Sequence, residues 1–320
     1  METRTDLTAF ARKTGEIKQR IAEIIVGQTE AVDLLLTCVI ADGHVLLEGV
    51  PGVAKTLLAR LVSRLIDARF SRVQFTPDLM PSDVLGTSVF NMKTSEFDFH
   101  PGPAFADIVL ADEINRAPAK TQAALFEVME ERQATIDGTS YAMGDVYTII
   151  ATQNPVEHEG TYRLPEAQLD RFLMKITMGY PSVEEEVEIL SRHNARSNFS
   201  RLDDVQPVIT KDELLGLRAM LDSVVVDASL LRYIAQIVAE SRESRAVYVG
   251  CSPRASVAML QCAKAYALLQ GRDFVTPDDI KTVAPYVMQH RLQLTAETEM
   301  EGFTPLDVAR KLIEKVEVPK

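Results

Sequence analysis

The sequence lacks the long apolar runs and the cysteine pairs that mark membrane proteins and disulfide-rich secreted proteins. Its apolar runs, such as HVLLEGV and VYTIIAT, are far shorter than the roughly 20 residues that a transmembrane helix needs. Its first ten residues, METRTDLTAF, are acidic and polar, unlike a signal peptide. Cys38, Cys251 and Cys262 form no CxxC pair and lie near no histidine at a metal-ligand spacing. We therefore expect a cytoplasmic protein without membrane insertion, whose cysteines are buried thiols.

Basic residues are also scarce relative to acidic ones. The chain has 34 Lys and Arg against 46 Asp and Glu, a formal net charge of −12. This charge repels nucleic acid at long range, so we expect no nucleic-acid partner. The histidines have no partners at a useful spacing, and we expect them to be structural or solvated: His44, His100, His158, His193 and His290.

The chain has 320 residues, of which 46% are hydrophobic and 25% charged, as is usual for a soluble protein of about two domains. From residue 1 to about 180, short β-rich runs alternate with helical patterns, which predicts crossover helices and a mostly parallel sheet. The predicted strands are 44–48, 71–76, 106–111, 146–151 and 173–178.

The pattern changes after GYPS at 179–182, where helical segments with clear start signals follow one another. Ser182 with Glu185 and Thr210 with Glu213 form capping boxes, and Thr276 precedes a proline at the first helical position. We therefore predict an α/β domain over residues 1–180 and an all-helical domain over residues 181–320.

The stretch GVPGVAKT at 49–56 resembles a phosphate-binding loop, GxxxxGK[ST], with Ala54 in place of the last glycine. It follows a predicted strand and opens a predicted helix, the context that such a loop requires. Lys55 would reach the β- and γ-phosphates, and Thr56 would place its hydroxyl on Mg²⁺. A methyl group at an unfavourable φ costs about 1–2 kcal/mol, which ATP binding would survive. The alternative is a plain Gly-Pro turn.

Two carboxylates follow the buried run in DIVLADEINRAP. Asp112 and Glu113 would lie at the carboxyl edge of the sheet, where parallel α/β sheets bind ligands. Asp112 could hold Mg²⁺ through water, and Glu113 could orient and deprotonate the attacking water. The alternative for Asp112 is a helix N-cap.

A third strand, VYTIIATQNP, ends near Asn154. A neutral amide at this position can hydrogen-bond both the γ-phosphate and the attacking water without adding charge. On its own, Asn154 would be only a turn residue.

Taken together, GVPGVAKT, LADEINRAP, IIATQNPVEHEGTYRLPEAQLDRF and SPRA resemble, in this order, the MoxR branch of the AAA+ ATPases over nearly the whole chain. The resemblance implies an α/β core of αβα type with a five-stranded sheet in the order 5-1-4-3-2, and a helical lid. It also implies a ring, usually a hexamer, that binds ATP and Mg²⁺ between neighbouring subunits.

The resemblance also implies roles for single residues. Asn154 matches sensor 1, Arg171 the arginine finger and Arg254 sensor 2, while Thr56 and Asp112 match the metal-binding positions. The implied catalytic residues are thus Glu113, Asn154, Arg171 and Arg254. The expected nucleotide-binding residues are Gly49, Pro51, Gly52, Val53, Ala54, Lys55, Thr56 and Leu57, with Val26, Gly27 and Gln28 against adenine.

Arg171 has a structural alternative, an ion pair with Asp170 or Glu166. Arg254 lies in the first turn of a predicted helix, where the dipole disfavours a cation unless an anion lies opposite, and this misfit favours a functional role.

Two predicted hairpins bear on the substrate. Residues 133–143 contain Asp-Gly, a strong hairpin signal, and residues 86–103 contain the alternating Phe97 and Phe99. Neither tip is basic, since 133–143 has one Asp and no Lys or Arg, and 87–100 has a net charge of −1. Phe97 and Phe99 are candidate client contacts, although they could equally pack in the core.

The sequence therefore predicts a Mg²⁺-dependent AAA+ ATPase that remodels a protein client. The resemblance adds a partner carrying a von Willebrand factor A domain. The alternatives are a DNA-dependent motor, a metal-chelatase subunit and a nucleotide switch that barely turns over.

Overall fold

A five-stranded parallel sheet forms the centre of the first part of the chain. The computed structural model describes residues 7–155, 162, 164–194 and 202–319. The strands are β1 (His44–Gly49), β2 (Phe70–Gln74), β3 (Gly86–Asn91), β4 (Glu96–Pro101), β5 (Ile108–Asp112), β6 (Gln133–Ile136), β7 (Thr139–Ala142), β8 (Thr148–Gln153), β9 (Phe172–Met178), β10 (Val247–Val249) and β11 (Gln293–Leu294).

Helices cover both faces of the sheet and make up most of the second part. They are α1 (Thr8–Ile24), α2 (Thr29–Ile40), α3 (Lys55–Leu65), α4 (Pro81–Leu85), α5 (Ala119–Glu131), α6 (Glu166–Leu169), α7 (Val183–Asn194), α8 (Lys211–Met220), α9 (Ala228–Glu243), α10 (Pro253–Leu269), α11 (Pro277–Met288), α12 (Ala296–Met300) and α13 (Pro305–Lys315). No helix among the described residues is long and apolar enough to span a bilayer.

The sheet order is β2-β5-β8-β1-β9, with every pair parallel. Counting only these five strands along the chain, the order is 5-1-4-3-2, so the predicted sheet order is confirmed. Alternate side chains of β1 enter opposite faces, because Val45 and Leu47 belong to one apolar cluster and Leu46 to the other. This burial on both faces explains the nearly continuous apolar runs in the sequence.

The second part of the chain is helical, as predicted, with the short antiparallel pair β10–β11 in addition. Its helices begin at the predicted caps. The Ser182 hydroxyl accepts from the Glu185 amide at 3.3 Å, and the Glu185 carboxylate accepts from the Ser182 amide at 2.7 Å. Thr210 and Glu213 form the second capping box. The larger apolar cluster runs without interruption from the sheet through α2 into these helices.

Both predicted hairpins form. The turn between β6 and β7 places Asp137 at φ 51° and Gly138 at φ 80°, as a two-residue turn of this kind requires. The hairpins touch, because Phe99 stacks on Tyr141 with ring centroids 4.0 Å apart. Phe99 is therefore partly buried by the neighbouring hairpin, whereas Phe97 is 72% exposed and contacts Phe90.

The cysteines and histidines have the predicted structural positions where the structure describes them. All three cysteines are buried free thiols. The His44 ring lies 3.1 Å from the Met129 carbonyl, and burial lowers its pKa to about 4, so it is neutral at pH 7. His290 is also buried, His100 and His193 are exposed, and His158 lies outside the described residues.

Candidate nucleotide and magnesium site

The loop after β1 wraps tightly around the start of α3. Gly52 has φ 89° and Ala54 has φ 65°, and both residues lie in a backbone region that favours glycine. Ala54 is the N-cap of α3, so the first amides of this helix point into the loop. The ammonium of Lys55 turns back onto the loop, where it donates to the carbonyls of Gly49 and of Val50, the latter at 3.0 Å.

Asp112 ends β5 with a carboxylate that is only 9% exposed. Its Oδ1 accepts a hydrogen bond of 2.6 Å from the Thr152 hydroxyl on β8. Its Oδ2 accepts from the Thr56 hydroxyl at 3.3 Å and from Nε of Arg72 at 2.9 Å. Donors from β2, β8 and α3 thus surround one buried negative charge, as a buried carboxylate requires.

Glu113 follows in the left-handed region, at φ 55°. Its amide donates to the Thr152 hydroxyl at 2.8 Å. The Glu113 carboxylate accepts from the Gln74 amide at 2.8 Å and from Arg116 at 3.0 Å. Strain at a non-glycine residue in this position is typical of functional sites.

These groups line one cavity of about 390 Å³. Its walls are Pro51, Gly52, Ala54, Lys55, Thr56, Leu57, Arg72, Gln74, Asp112, Glu113, Thr152, Gln153 and Asn154. The structure therefore brings the predicted metal-binding pair, the predicted base and sensor 1 together. Their chemical roles remain predictions.

Several predicted nucleotide-binding residues lie beside this cavity and do not line it. Gly49 packs so closely against the end of β9 that a Cβ would approach the Met178 carbonyl to 2.6 Å, which explains the glycine. Val53 is buried in the larger apolar cluster.

The predicted adenine loop lies at the same edge of the sheet. Gln28 donates to the Gly179 carbonyl at 2.9 Å, just beyond β9. Gly27 has φ 69°, and the Glu185 carboxylate lies where a Cβ on Gly27 would be. Val26 is half-buried beside them. The contact with adenine remains a prediction.

Arg171 and Arg254 lie at a second cavity, of about 500 Å³, which shares no described lining residue with the first. Arg171 donates to Glu130 at 2.7 Å, so neither Asp170 nor Glu166 is the partner that the structural alternative named. Arg254 is 75% exposed and donates to Asp170 at 3.3 Å. Asp170 is the anion opposite the positive end of α10 that the helix dipole requires.

Four residues that contact the acidic pair were not predicted from the sequence: Arg72, Gln74, Arg116 and Thr152. Arg72 and Gln74 are two residues apart on β2, so their side chains point to the same face of the sheet. Since the implied sheet order puts β2 beside β5, the spacing of these two polar residues could have indicated that they lie near Asp112 and Glu113.

Comparisons with known proteins agree with this geometry. The family model described as ATPase family associated with various cellular activities (AAA) matches residues 44–174, and the AAA lid domain model matches residues 239–312. The chain is 42% identical to Chaperone MoxR1 of Mycobacterium tuberculosis over 94% of this chain and 81% of that protein. The chain belongs to the MoxR family of AAA+ ATPases.

Two further proteins resemble this MoxR-family chain along almost its whole length. The uncharacterized protein YeaC of Bacillus subtilis is 47% identical over 95% of this chain and 94% of its own. The crystal structure of a protein from Cytophaga hutchinsonii, assigned as an ATPase, superposes with a TM-score of 0.89 at 40% identity, covering 98% of this chain and 97% of that chain.

Ala54 provides a test of the loop conformation. Ala54→Gly should bind ATP as well as the wild type or up to several-fold more tightly, because glycine adopts φ 65° without the cost of about 1–2 kcal/mol. Ala54→Val should lose affinity by more than tenfold, since a β-branched residue is a genuine outlier there. Calorimetric titration of both variants measures this. A large loss with Ala54→Gly would instead show that the methyl group packs against the ligand.

Proposed function

We propose that this chain hydrolyses ATP with Mg²⁺ and uses the energy to remodel a protein client. The observation that carries the proposal is the single cavity that contains the loop lysine, Lys55, and the acidic pair, Asp112 and Glu113. The first amides of α3 and the Lys55 ammonium supply the positive potential that a triphosphate needs.

The residues present suit Mg²⁺. The hydroxyl oxygen of Thr56 and Oδ2 of Asp112 lie 3.3 Å apart, and both are the hard oxygen donors that this ion prefers. When bound, Mg²⁺ would neutralise charge on the phosphate oxygens. Thr152 holds the other oxygen of Asp112, which fixes the orientation of the carboxylate.

Glu113 is the proposed general base. Its carboxylate reaches the cavity beside Asn154, which is buried there at the end of β8. A carboxylate and a neutral amide together can orient a water molecule and accept its proton. This pair argues against a nucleotide switch that barely turns over.

The positions of Arg171 and Arg254 favour a shared site between two copies of the chain. Both line the second cavity, away from the loop of their own subunit. A guanidinium there can reach a phosphate only if that phosphate belongs to a neighbour. A head-to-tail contact forms a ring when its rotation closes, and we propose a closed ring of six subunits.

The proposed client is a protein. The hairpin formed by β3 and β4 carries an exposed apolar pair, Phe90 and Phe97, and its residues 87–100 have a net charge of −1. This surface suits an apolar peptide better than a phosphate backbone. One relative is named a chaperone, and the family resemblance implies a partner with a von Willebrand factor A domain. The buried free thiols suit a reducing compartment, so we place the activity in the cytoplasm.

Replacing the proposed base should separate binding from hydrolysis. Glu113→Gln should bind ATP as the wild type does but hydrolyse it at least about a hundredfold more slowly, because the amide keeps the shape and loses the base. Binding is measured by calorimetry and hydrolysis by phosphate release. Wild-type turnover in this variant would place the base elsewhere.

Mixed rings test whether Arg171 acts on a neighbour. Arg171→Ala should bind nucleotide and lose about 10³-fold or more in turnover. Lys55→Ala should lose nucleotide binding, because it removes the charge that faces the β- and γ-phosphates. Mixing the two inactive variants should restore part of the activity, since each supplies what the other lacks. Mixed assemblies of confirmed composition without any recovery would contradict the shared site.

The client class can be tested with added ligands. We expect turnover by assembled rings to be unchanged by single- or double-stranded DNA and altered by a protein with a von Willebrand factor A domain. Phe97→Ser should reduce the response to protein and leave basal turnover unchanged, with Ser140→Ala on the other hairpin as control. Several-fold stimulation by DNA that fades with salt would favour the DNA-dependent motor.

A further inference from the structure

Arg72 supplies a positive charge to Asp112 from within the same chain. Both Nε and Nη2 of the guanidinium contact Oδ2 of the carboxylate, at 2.9 Å and 2.7 Å. The carboxylate is 9% exposed, and its other donors, Thr56 and Thr152, are neutral hydroxyls. A buried carboxylate with neutral donors alone is costly, so the guanidinium compensates much of this charge.

The position of Arg72 lets this contact open. Its side chain is 48% exposed and comes from β2, the edge strand of the sheet. Moving the guanidinium into solvent breaks its contacts with Asp112 and with the Gln74 side chain, whose oxygen accepts from Nη2 at 2.7 Å, so the contact opens only when another cation compensates the buried carboxylate. Asp112 cannot follow, because Thr152 holds its Oδ1 at 2.6 Å inside the protein.

Arg72 and a metal ion would occupy the same side of the carboxylate. The oxygen that faces the Thr56 hydroxyl is Oδ2, and this is the oxygen that Arg72 contacts. Two cations on the same side of one carboxylate repel each other, whether the metal ion binds directly or through a water molecule. We therefore expect Arg72 and a metal ion to exclude each other at this oxygen.

We propose that Arg72 and Mg²⁺ compete for Oδ2 of Asp112, so that Arg72 sets the Mg²⁺ concentration at which the site takes up its metal–nucleotide complex. The inference rests on the proposed function and deepens it. Arg72 acts here as a positioning residue, a resident cation that stabilises Asp112 until the metal replaces it. Arg72 thereby raises the Mg²⁺ concentration that the site requires. It also stabilises the buried Asp112 carboxylate in the folded chain when no metal is bound.

The chain offers a matched control in Arg69. This arginine lies just before β2 and pairs with Asp107, which is buried at the opposite end of the same neighbouring strand, with Nη2 3.2 Å from Oδ1. Arg69→Gln and Arg72→Gln remove the same charge from positions three residues apart. Only Arg72→Gln removes it from the carboxylate in the nucleotide cavity.

The experiment titrates a non-hydrolysable ATP analogue by calorimetry, first with EDTA and then at increasing fixed Mg²⁺. We expect the affinity for the analogue to reach half of its Mg²⁺-dependent increase at a Mg²⁺ concentration about three- to tenfold lower in Arg72→Gln than in the wild type. This is the effect of one partly exposed ion pair. Arg69→Gln should leave this concentration unchanged. In EDTA, Arg72→Gln should bind the analogue as the wild type does.

Arg72→Lys extends the test if Arg72→Gln folds poorly, which circular dichroism and thermal unfolding would reveal. Lysine keeps the charge but makes only one of the two contacts with Asp112. It should therefore lower the required Mg²⁺ concentration as well, by less than Arg72→Gln does. An unchanged or higher Mg²⁺ requirement in the folded Arg72 variants would overturn the inference. Weaker binding in EDTA would also overturn it, because Arg72 would then bind the phosphates directly. A wild type that binds no nucleotide under any condition would instead refute the proposed function, and the inference with it.

Discussion

The candidate site is assembled around the buried charge of Asp112. A carboxylate with so little access to water needs donors on several sides, and no single element can supply them. Thr152 comes from one neighbouring strand, Arg72 from the other, and Thr56 from the helix after the loop. The position of β5 between β2 and β8, with the start of α3 over the edge of the sheet, meets this demand.

Much of the candidate site could be predicted from the ends of the strands. Because carboxyl ends of parallel strands emerge together, Lys55, Asp112 and Asn154 could be placed near one another before their distances were known. Arg72 and Gln74 were missed because a β2 residue becomes relevant only once the neighbour of β2 is known. Local patterns indicate which residues form strands and helices, whereas contacts between strands depend on the whole fold.

Contacts between elements far apart in sequence were also beyond local patterns. Arg171 pairs with Glu130, 41 positions earlier, although two nearer carboxylates were available. Phe99 stacks on Tyr141 of the other hairpin, which removes it from the exposed surface that Phe97 keeps. In both cases the partner depends on how the intervening hairpins and helices fold. The alternation of residues along one strand does not indicate that partner.

The apolar cluster that continues from the sheet into the C-terminal helices has a consequence for motion. Helix α2 packs on α10, and α11 packs on β9, so these helices share their interior with the sheet. Opening them like a hinged lid would expose apolar surface at about 25 cal/mol per Å². Small sliding displacements keep such an interface closed, so we expect these helices to move against the sheet by shear rather than by hinged opening.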